Sequence, residues 1–218
     1  MIPFLAALLR HLRLCLYRQQ RVIALNRGDE AGALLACDRL IQLEPDIALH
    51  YLHRGIIHHQ SGNFEAARAD YDEAIRIDPY CTIAYINRGL LSALQHDYPA
   101  ALADYNQAIY IDPRNALAYN NRGLVSKAQG NLIGAIADYG TAIRLEPNNA
   151  ISYHNRANAL VERGEPDRAL DDYGRALQLN PYYASVHDHC GVIRALACDS
   201  VSVLPRAQAT GQRAPVHQ

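Results

Sequence analysis

Proline recurs in this chain at a constant interval. The prolines of this series are Pro45, Pro79, Pro113, Pro147 and Pro181, and the gap between neighbours never changes. A fixed period of about 20 to 50 residues is typical of a chain in which one supersecondary unit is repeated and stacked. Because such a stack presents an extended surface rather than one closed pocket, the period favours a binding scaffold over an enzyme.

Aligning the chain on these prolines brings other residue types into register. The repeats are then residues 14–47, 48–81, 82–115, 116–149 and 150–183, followed by a half-repeat from residue 184 to about residue 198. A first tyrosine column, an arginine column and a second tyrosine column result, namely Tyr51, Tyr85, Tyr119 and Tyr153; Arg54, Arg88, Arg122 and Arg156; Tyr71, Tyr105, Tyr139 and Tyr173. Segment 14–47 lacks most of these residues, so we interpret it as a degenerate first repeat.

The spacing within each repeat predicts two helices. Ala101, Tyr105 and Ala108 follow one another at intervals of four and three, which places them on one helical face. Turn-forming residues such as Ser61-Gly62-Asn63 separate the two stripes, and the proline ends the second helix. We therefore predict an all-α fold in which small residues let helices approach closely and tyrosines fill the gaps.

These motifs resemble tetratricopeptide repeats. The resemblance rests on Tyr-x-Asn-Arg-Gly at 85–89 and 119–123, on Ala-x-x-x-Tyr-x-x-Ala at 101–108 and on the closing Asp-Pro or Glu-Pro. It implies an α-solenoid wound as a right-handed superhelix over residues 14–198. Residues 1–13 would form a lead-in helix, 184–198 a capping helix and 199–218 a disordered tail.

The resemblance also implies where a partner would bind, because the first helices of such repeats line a concave groove. The implied groove residues are His53, Asn87, Leu90, Asn121, Leu124, Asn155 and Asn158. A row of asparagine amides can hold the backbone of an extended peptide, since each amide offers donors and an acceptor. The pattern leaves a second interpretation open, in which these asparagines order the helix stack or face water.

A second apolar column consists of Leu49, Ile83, Leu117 and Ile151. It could contribute to the groove, but we interpret it as part of the core between repeats. Each arginine of the arginine column precedes an aspartate at one fixed offset, as Arg88 precedes Asp104. A matched acid for every arginine favours an ion pair between the two helices over a row of ligand-binding arginines.

Composition excludes several other classes of protein. The formal net charge is −1, which gives no electrostatic argument for nucleic acid. The five cysteines are an odd number without a C-x-x-C motif, which argues against disulfides and zinc and favours reduced thiols in the cytoplasm. His50, His53 and His58 lack the spacing of a helical metal pair. We therefore predict no metal, no cofactor and no small-molecule substrate.

The N-terminal segment is apolar from Ile2 to Leu9 and is then interrupted by Arg10, His11 and Arg13. It is too short to span a bilayer, so we expect it to cap the first repeat rather than to contact a membrane.

Taken together, the sequence predicts a non-enzymatic scaffold that binds a peptide segment of a partner protein. The alternative is a structural assembly subunit that associates through its end caps or convex face, and the oligomeric state stays open.

Overall fold

A computed structural model describes residues 2–181, with side chains from residue 9 onward. These residues form helices without any strand, which confirms the all-α fold. The helices are α1 Ile2–Asn26, α2 Glu30–Leu43, α3 Ala48–Gln60, α4 Phe64–Ile77, α5 Thr82–Leu94, α6 Tyr98–Ile111, α7 Ala116–Ala128, α8 Leu132–Leu145, α9 Ala150–Glu162 and α10 Pro166–Leu179. The segments predicted as a capping helix (184–198) and a disordered tail (199–218) lie outside the described residues.

The chain divides into two compact units, Met1–Asn148 and Asn149–Gln218. The first unit contains α1 to α8, paired as α1–α2, α3–α4, α5–α6 and α7–α8, and each second helix also contacts the first helix of the next pair. The described part of the second unit is the pair α9–α10. Helix α1 continues without a break through residues 13 and 14, so the segment expected as a lead-in and the start of the first repeat share one helix.

The turn inside each pair has a left-handed residue at the same register position. These residues are Gly28, Gly62, His96, Gly130 and Gly164, with φ between 61° and 83°. Glycine tolerates this region because it has no Cβ, whereas His96 adopts it at a cost in free energy. The turn residue that follows often caps the second helix, as when Asp97 accepts a hydrogen bond from the Ala100 amide.

A glycine of the first helix faces a tyrosine of the second in three consecutive pairs. Tyr71 is fully buried, and a Cβ added to Gly55 would lie 2.8 Å from its Cε1 atom. The same core cluster contains Ala84 and Leu91 of α5, so Tyr71 also fills space between neighbouring pairs. The predicted packing of small residues against tyrosines is thereby confirmed. Burial of each such ring contributes about 2–3 kcal/mol.

In the first pair the large residue lies on the first helix and the small one on the second, the reverse of the later glycine–tyrosine pairs. Arg21 stands where later repeats have glycine, and the buried Cys37 stands where they have tyrosine. The guanidinium of Arg21 reaches the Cys37 thiol, and its Nη1 lies 2.6 Å from Nδ1 of His53 on α3. The departure of the first repeat from the common pattern is therefore compensated in volume, and it directs an arginine toward α3.

Candidate functional site

The predicted groove residues lie on the first helices of the pairs. Helix α3 contacts α5, and α5 contacts α7, so the three helices run side by side within the first unit. His53, Asn87 and Asn121 take the same register position on these helices. They therefore form one row across the first unit. Asn155 and Asn158 lie on α9, in the second unit.

The two asparagines of the row are half-buried but differ in their hydrogen bonds. The Asn87 amide nitrogen donates to the carbonyl oxygen of Ile83, one turn earlier in its own helix, at 3.0 Å. The side-chain amide of Asn121 makes no hydrogen bond with any residue in the described part of the chain. Asn87 therefore keeps its carbonyl oxygen and one N–H for a ligand, and Asn121 keeps the whole amide.

His53 is the third member of the row and is uncharged at neutral pH. Burial lowers the pKa of His53 to about 4, and the adjacent Arg21 guanidinium contributes to the same shift. Since arginine can only donate, Nδ1 of His53 must accept the 2.6 Å hydrogen bond from Arg21, which fixes the tautomer. The row thus presents three neutral polar side chains.

The depressed pKa of His53 makes a testable difference to stability. The unfolded chain binds a proton at His53 below its ordinary pKa of 6.5, whereas the folded chain binds it only below about 4. Stability is therefore lost as pH falls through this window. We expect His53→Asn to lose less thermal stability than the wild type between pH 7.5 and pH 5, measured as Tm by circular dichroism. Parallel pH profiles for the two proteins would contradict this.

An aliphatic row runs beside the polar one. Leu49, Ile83 and Leu117 each precede a member of the polar row by four residues and so share its helical face. Their side chains are between 51 and 55 % exposed. The expectation that this column belongs to the core between repeats is wrong, because the preceding helix pair covers a different face of each helix.

Further apolar residues extend the same face toward the end of each helix. Leu90 is half-buried, and Leu124 and Leu94 are exposed. The positions of the aliphatic row, the polar row and these leucines follow one another at intervals of four, three and four residues. The surface is therefore aliphatic along both edges and polar along its centre.

The arginines of the arginine column form ion pairs with aspartates of the second helices. Arg88 donates from Nε and Nη2 to the two oxygens of Asp104, at 3.0 and 2.6 Å, and from Nη1 to Asp72 at 2.6 Å. These hydrogen bonds raise the pKa of the Arg88 guanidinium. The guanidinium carbon also lies 5.6 Å from the centre of the Tyr85 ring. The corresponding pairs are Arg54–Asp70, Arg122–Asp138 and Arg156–Asp172.

The predicted ion pairs are thus confirmed in every repeat of this series, and the arginine column is structural. Helices α3, α5 and α7 contain no aspartate or glutamate, and Lys127 is their only other residue of fixed positive charge. The candidate surface of the first unit is therefore nearly uncharged.

In the second unit, Asn158 contributes to the core of its own helix pair. Its amide oxygen accepts a hydrogen bond from the Tyr173 hydroxyl at 2.5 Å, and its amide nitrogen lies 3.0 Å from Nε2 of His154. Asn155 is half-buried on α9 and makes an interaction of its own. The first unit offers no equivalent of the Asn158 bond, because Ile56, Leu90 and Leu124 occupy that register position.

No cluster of three or more metal-ligating side chains exists within the described part of the chain. Among those residues, no helix has the length and apolar character needed to cross a bilayer.

Solved structures similar to this chain include tetratricopeptide repeat proteins. MamA from Desulfovibrio magneticus RS-1 is 20% identical over 78% of this chain and 97% of its own, with a TM-score of 0.68. A tetratricopeptide repeat protein from Parabacteroides merdae is 16% identical over 88% of this chain and 76% of its own, with a TM-score of 0.71. YrrB, described as a TPR protein with an unusual peptide-binding site, is 16% identical over 79% and 89%, with a TM-score of 0.62.

At these identities the likeness concerns the fold alone. No curated protein sequence matches the chain.

Family models match the chain over most of its length. A tetratricopeptide repeat model matches residues 20–91, a TPR repeat model matches residues 93–130 and 125–164, and a further tetratricopeptide repeat model matches residues 150–183. The chain therefore belongs to the tetratricopeptide repeat family.

Proposed function

We propose that the first unit is a protein-interaction module that binds a peptide segment of a partner protein across α3, α5 and α7. One observation carries the proposal: Leu49, Ile83 and Leu117 are left exposed at the same position of three adjacent helices. A repeated row of exposed aliphatic side chains is unfavourable in water and is typical of a surface that binds something apolar. The peptide-binding site named for YrrB, which shares the fold, supports the proposal.

The polar row explains how such a peptide would be held. Asn87 and Asn121 can donate to and accept from peptide groups, and this recognition does not depend on the partner's side chains. The aliphatic rows on either side would then select apolar side chains. Because the surface is nearly uncharged, we expect a segment without charged residues at the contact positions.

The test is a selection from a displayed library of random peptides on the full-length protein. We expect the selected peptides to be rich in aliphatic residues and poor in Asp, Glu, Lys and Arg. Asn87→Ala/Asn121→Ala should bind them at least about tenfold more weakly, since each lost hydrogen bond costs about 1 kcal/mol. Ile83→Gln/Leu117→Gln should show a comparable loss.

The matched control is Ile133→Gln, which removes a 73 % exposed aliphatic side chain from α8, a second helix. It should leave peptide affinity unchanged. Melting curves must show that all variants stay folded. Selected peptides that bind the wild type and the groove variants equally would refute the proposal, as would peptides whose binding depends on Ile133.

A further inference from the structure

Helix α1 has a row of aliphatic side chains on a face that no described helix covers. The stripe has five positions, spaced by three, four, three and four residues, namely Leu9, Leu12, Leu16, Gln19 and Ile23. The four aliphatic side chains are between 40 and 54 % exposed. We name these five residues the α1 seam. Spacing of this kind places all of them on one stripe that is suited to pairing with another helix.

Later repeats show what covers such a face. The residues that take the register positions of Leu16 and Ile23 in the next three repeats are His50 and Ile57, Ala84 and Leu91, and Ala118 and Val125, all of them buried. Ala84 and Leu91 pack in one cluster with Tyr71 of α4, the second helix of the preceding pair. The same face of α1 therefore corresponds to a helix-binding face, although its side chains are exposed.

The flank of the α1 seam nearest α2 is positively charged. Arg13 lies on this flank, and Arg27, the first residue after α1, continues it because its backbone N–H still donates to the Ile23 carbonyl one turn earlier. Neither arginine makes an ion pair or a side-chain hydrogen bond within the described residues. The opposite flank carries Cys15 and Val22, which are uncharged. Helix α1 contains no acidic residue that could neutralise Arg13. Arg27 follows the last residue of α1, and the nearby Asp29 caps α2 by accepting a hydrogen bond from the Gly32 amide.

A cavity of about 390 Å³ adjoins this flank, between α1 and α2. Its lining includes Arg13, Tyr17, Leu35 and Arg39. The one acidic residue that lines it, Asp38, already pairs with Arg54 at 2.7 Å. The cavity can therefore receive an acidic side chain that reaches across from a helix lying on the seam.

We propose that the α1 seam is a second docking surface, for an amphipathic helix of a partner protein with acidic residues facing Arg13 and Arg27. The α1 helix of a second copy fits less well, because it brings the same arginines and no carboxylate. A bilayer surface also fits less well, since an interfacial helix carries many free cations around its apolar face. Of the four arginines of α1, Arg10 donates to the Leu43 carbonyl, Arg18 pairs with Glu44 and Arg21 lies 2.6 Å from Nδ1 of His53, so that within the described residues only Arg13 has no partner.

The probe is a labelled peptide of about four heptads with Ile and Leu on the apolar stripe and Glu on both flanks. Repulsion between its own glutamates keeps it from self-pairing at neutral pH. Binding to the full-length protein is measured by fluorescence anisotropy at low salt. We expect it to bind at least about tenfold more tightly than the same peptide with Lys on both flanks.

Two variants test the two parts of the surface. Leu12→Gln/Leu16→Gln should abolish binding of the acidic peptide, and Arg13→Gln/Arg27→Gln should remove the preference for Glu over Lys. The control Ile83→Gln/Leu117→Gln alters only the surface of α3, α5 and α7 and should bind the acidic peptide normally. This control separates the two proposals, because either surface can fail without the other.

Three results would overturn the proposal. One is the absence of any preference for the acidic peptide over the Lys peptide, whether both bind equally or neither binds. The second is a dimer in light scattering that Leu12→Gln/Leu16→Gln converts to a monomer, which would make a second copy the occupant. The third is sedimentation with phosphatidylserine-containing vesicles that depends on Leu12 and Leu16, which would make the surface a membrane contact.

Discussion

Replacing Arg88 by alanine is expected to lower the free energy of unfolding by about 2–3 kcal/mol. Asp104 is 6 % exposed and receives two hydrogen bonds from Arg88, so the variant leaves a buried carboxylate without its counterion. This loss is smaller than the roughly 3–5 kcal/mol typical of a fully buried pair, because the Arg88 side chain is 24% exposed and water can reach it. Urea unfolding of the full-length protein measures the loss.

A double-mutant cycle separates this pair from simple packing. Arg88→Met/Asp104→Leu removes both charges and should recover most of the stability, since a hydrophobic pair of similar volume needs no counterion. Arg122→Ala offers a second comparison, because Arg122 pairs with Asp138 but has the neutral Asn106 as its other partner. The charges would be shown not to be coupled if the double variant lost as much free energy of unfolding as the single variants Arg88→Met and Asp104→Leu lose together.

The ion pairs could be predicted from the sequence because they depend on register alone. An arginine and an aspartate that recur at one fixed offset in every repeat can meet only if the two helices of a pair fold back on each other. The turn residues between the helices carry the same kind of information, since Gly62 and Gly130 recur at one position. Features repeated in every copy thus report the shared geometry.

The exposure of Leu49, Ile83 and Leu117 could not be predicted in the same way. A first helix contacts the second helix of its own pair, the second helix of the preceding pair and other first helices. The apolar pattern therefore extends around much of its circumference, and residue type alone does not reveal which stripe stays open. Arg21 and Cys37 are visible in the sequence as departures from the repeat, but their mutual compensation could not be predicted, because it occurs once and depends on how the two helices are placed.

Residue type also left the state of the candidate groove residues undetermined. Asn87, Asn121 and Asn158 are the same amino acid at similar positions, yet one bonds to its own helix, one has no partner within residues 9–181, and one accepts from Tyr173. These differences depend on side-chain rotamers and on the neighbour that each amide meets. The sequence predicts the face on which such a residue lies, whereas its availability to a ligand depends on the packed structure.

Gly123→Ala is expected to destabilise the protein by about 2 kcal/mol, although alanine normally stabilises a helix relative to glycine by about 1 kcal/mol. An added Cβ would lie 2.7 Å from Cε1 of the buried Tyr139 ring, which is too close for any real contact. The ring is fully buried and cannot move away without opening the core. Thermal and urea unfolding should both show the loss.

Gly174→Ala is the matched control, because Gly174 also lies in a helix but an added Cβ would meet no atom within 4 Å in the described structure. That variant should gain up to about 1 kcal/mol, so the same substitution would have opposite signs at the two sites. The expected loss at Gly123 is kept to about 2 kcal/mol because the second unit has alanine, Ala157, at the register position of Gly123. There the facing Tyr173 is held by its hydrogen bond to Asn158. A stabilised Gly123→Ala variant would show that the Tyr139 ring can move away from the added Cβ. The glycine–tyrosine contact would then no longer explain the close approach of the two helices.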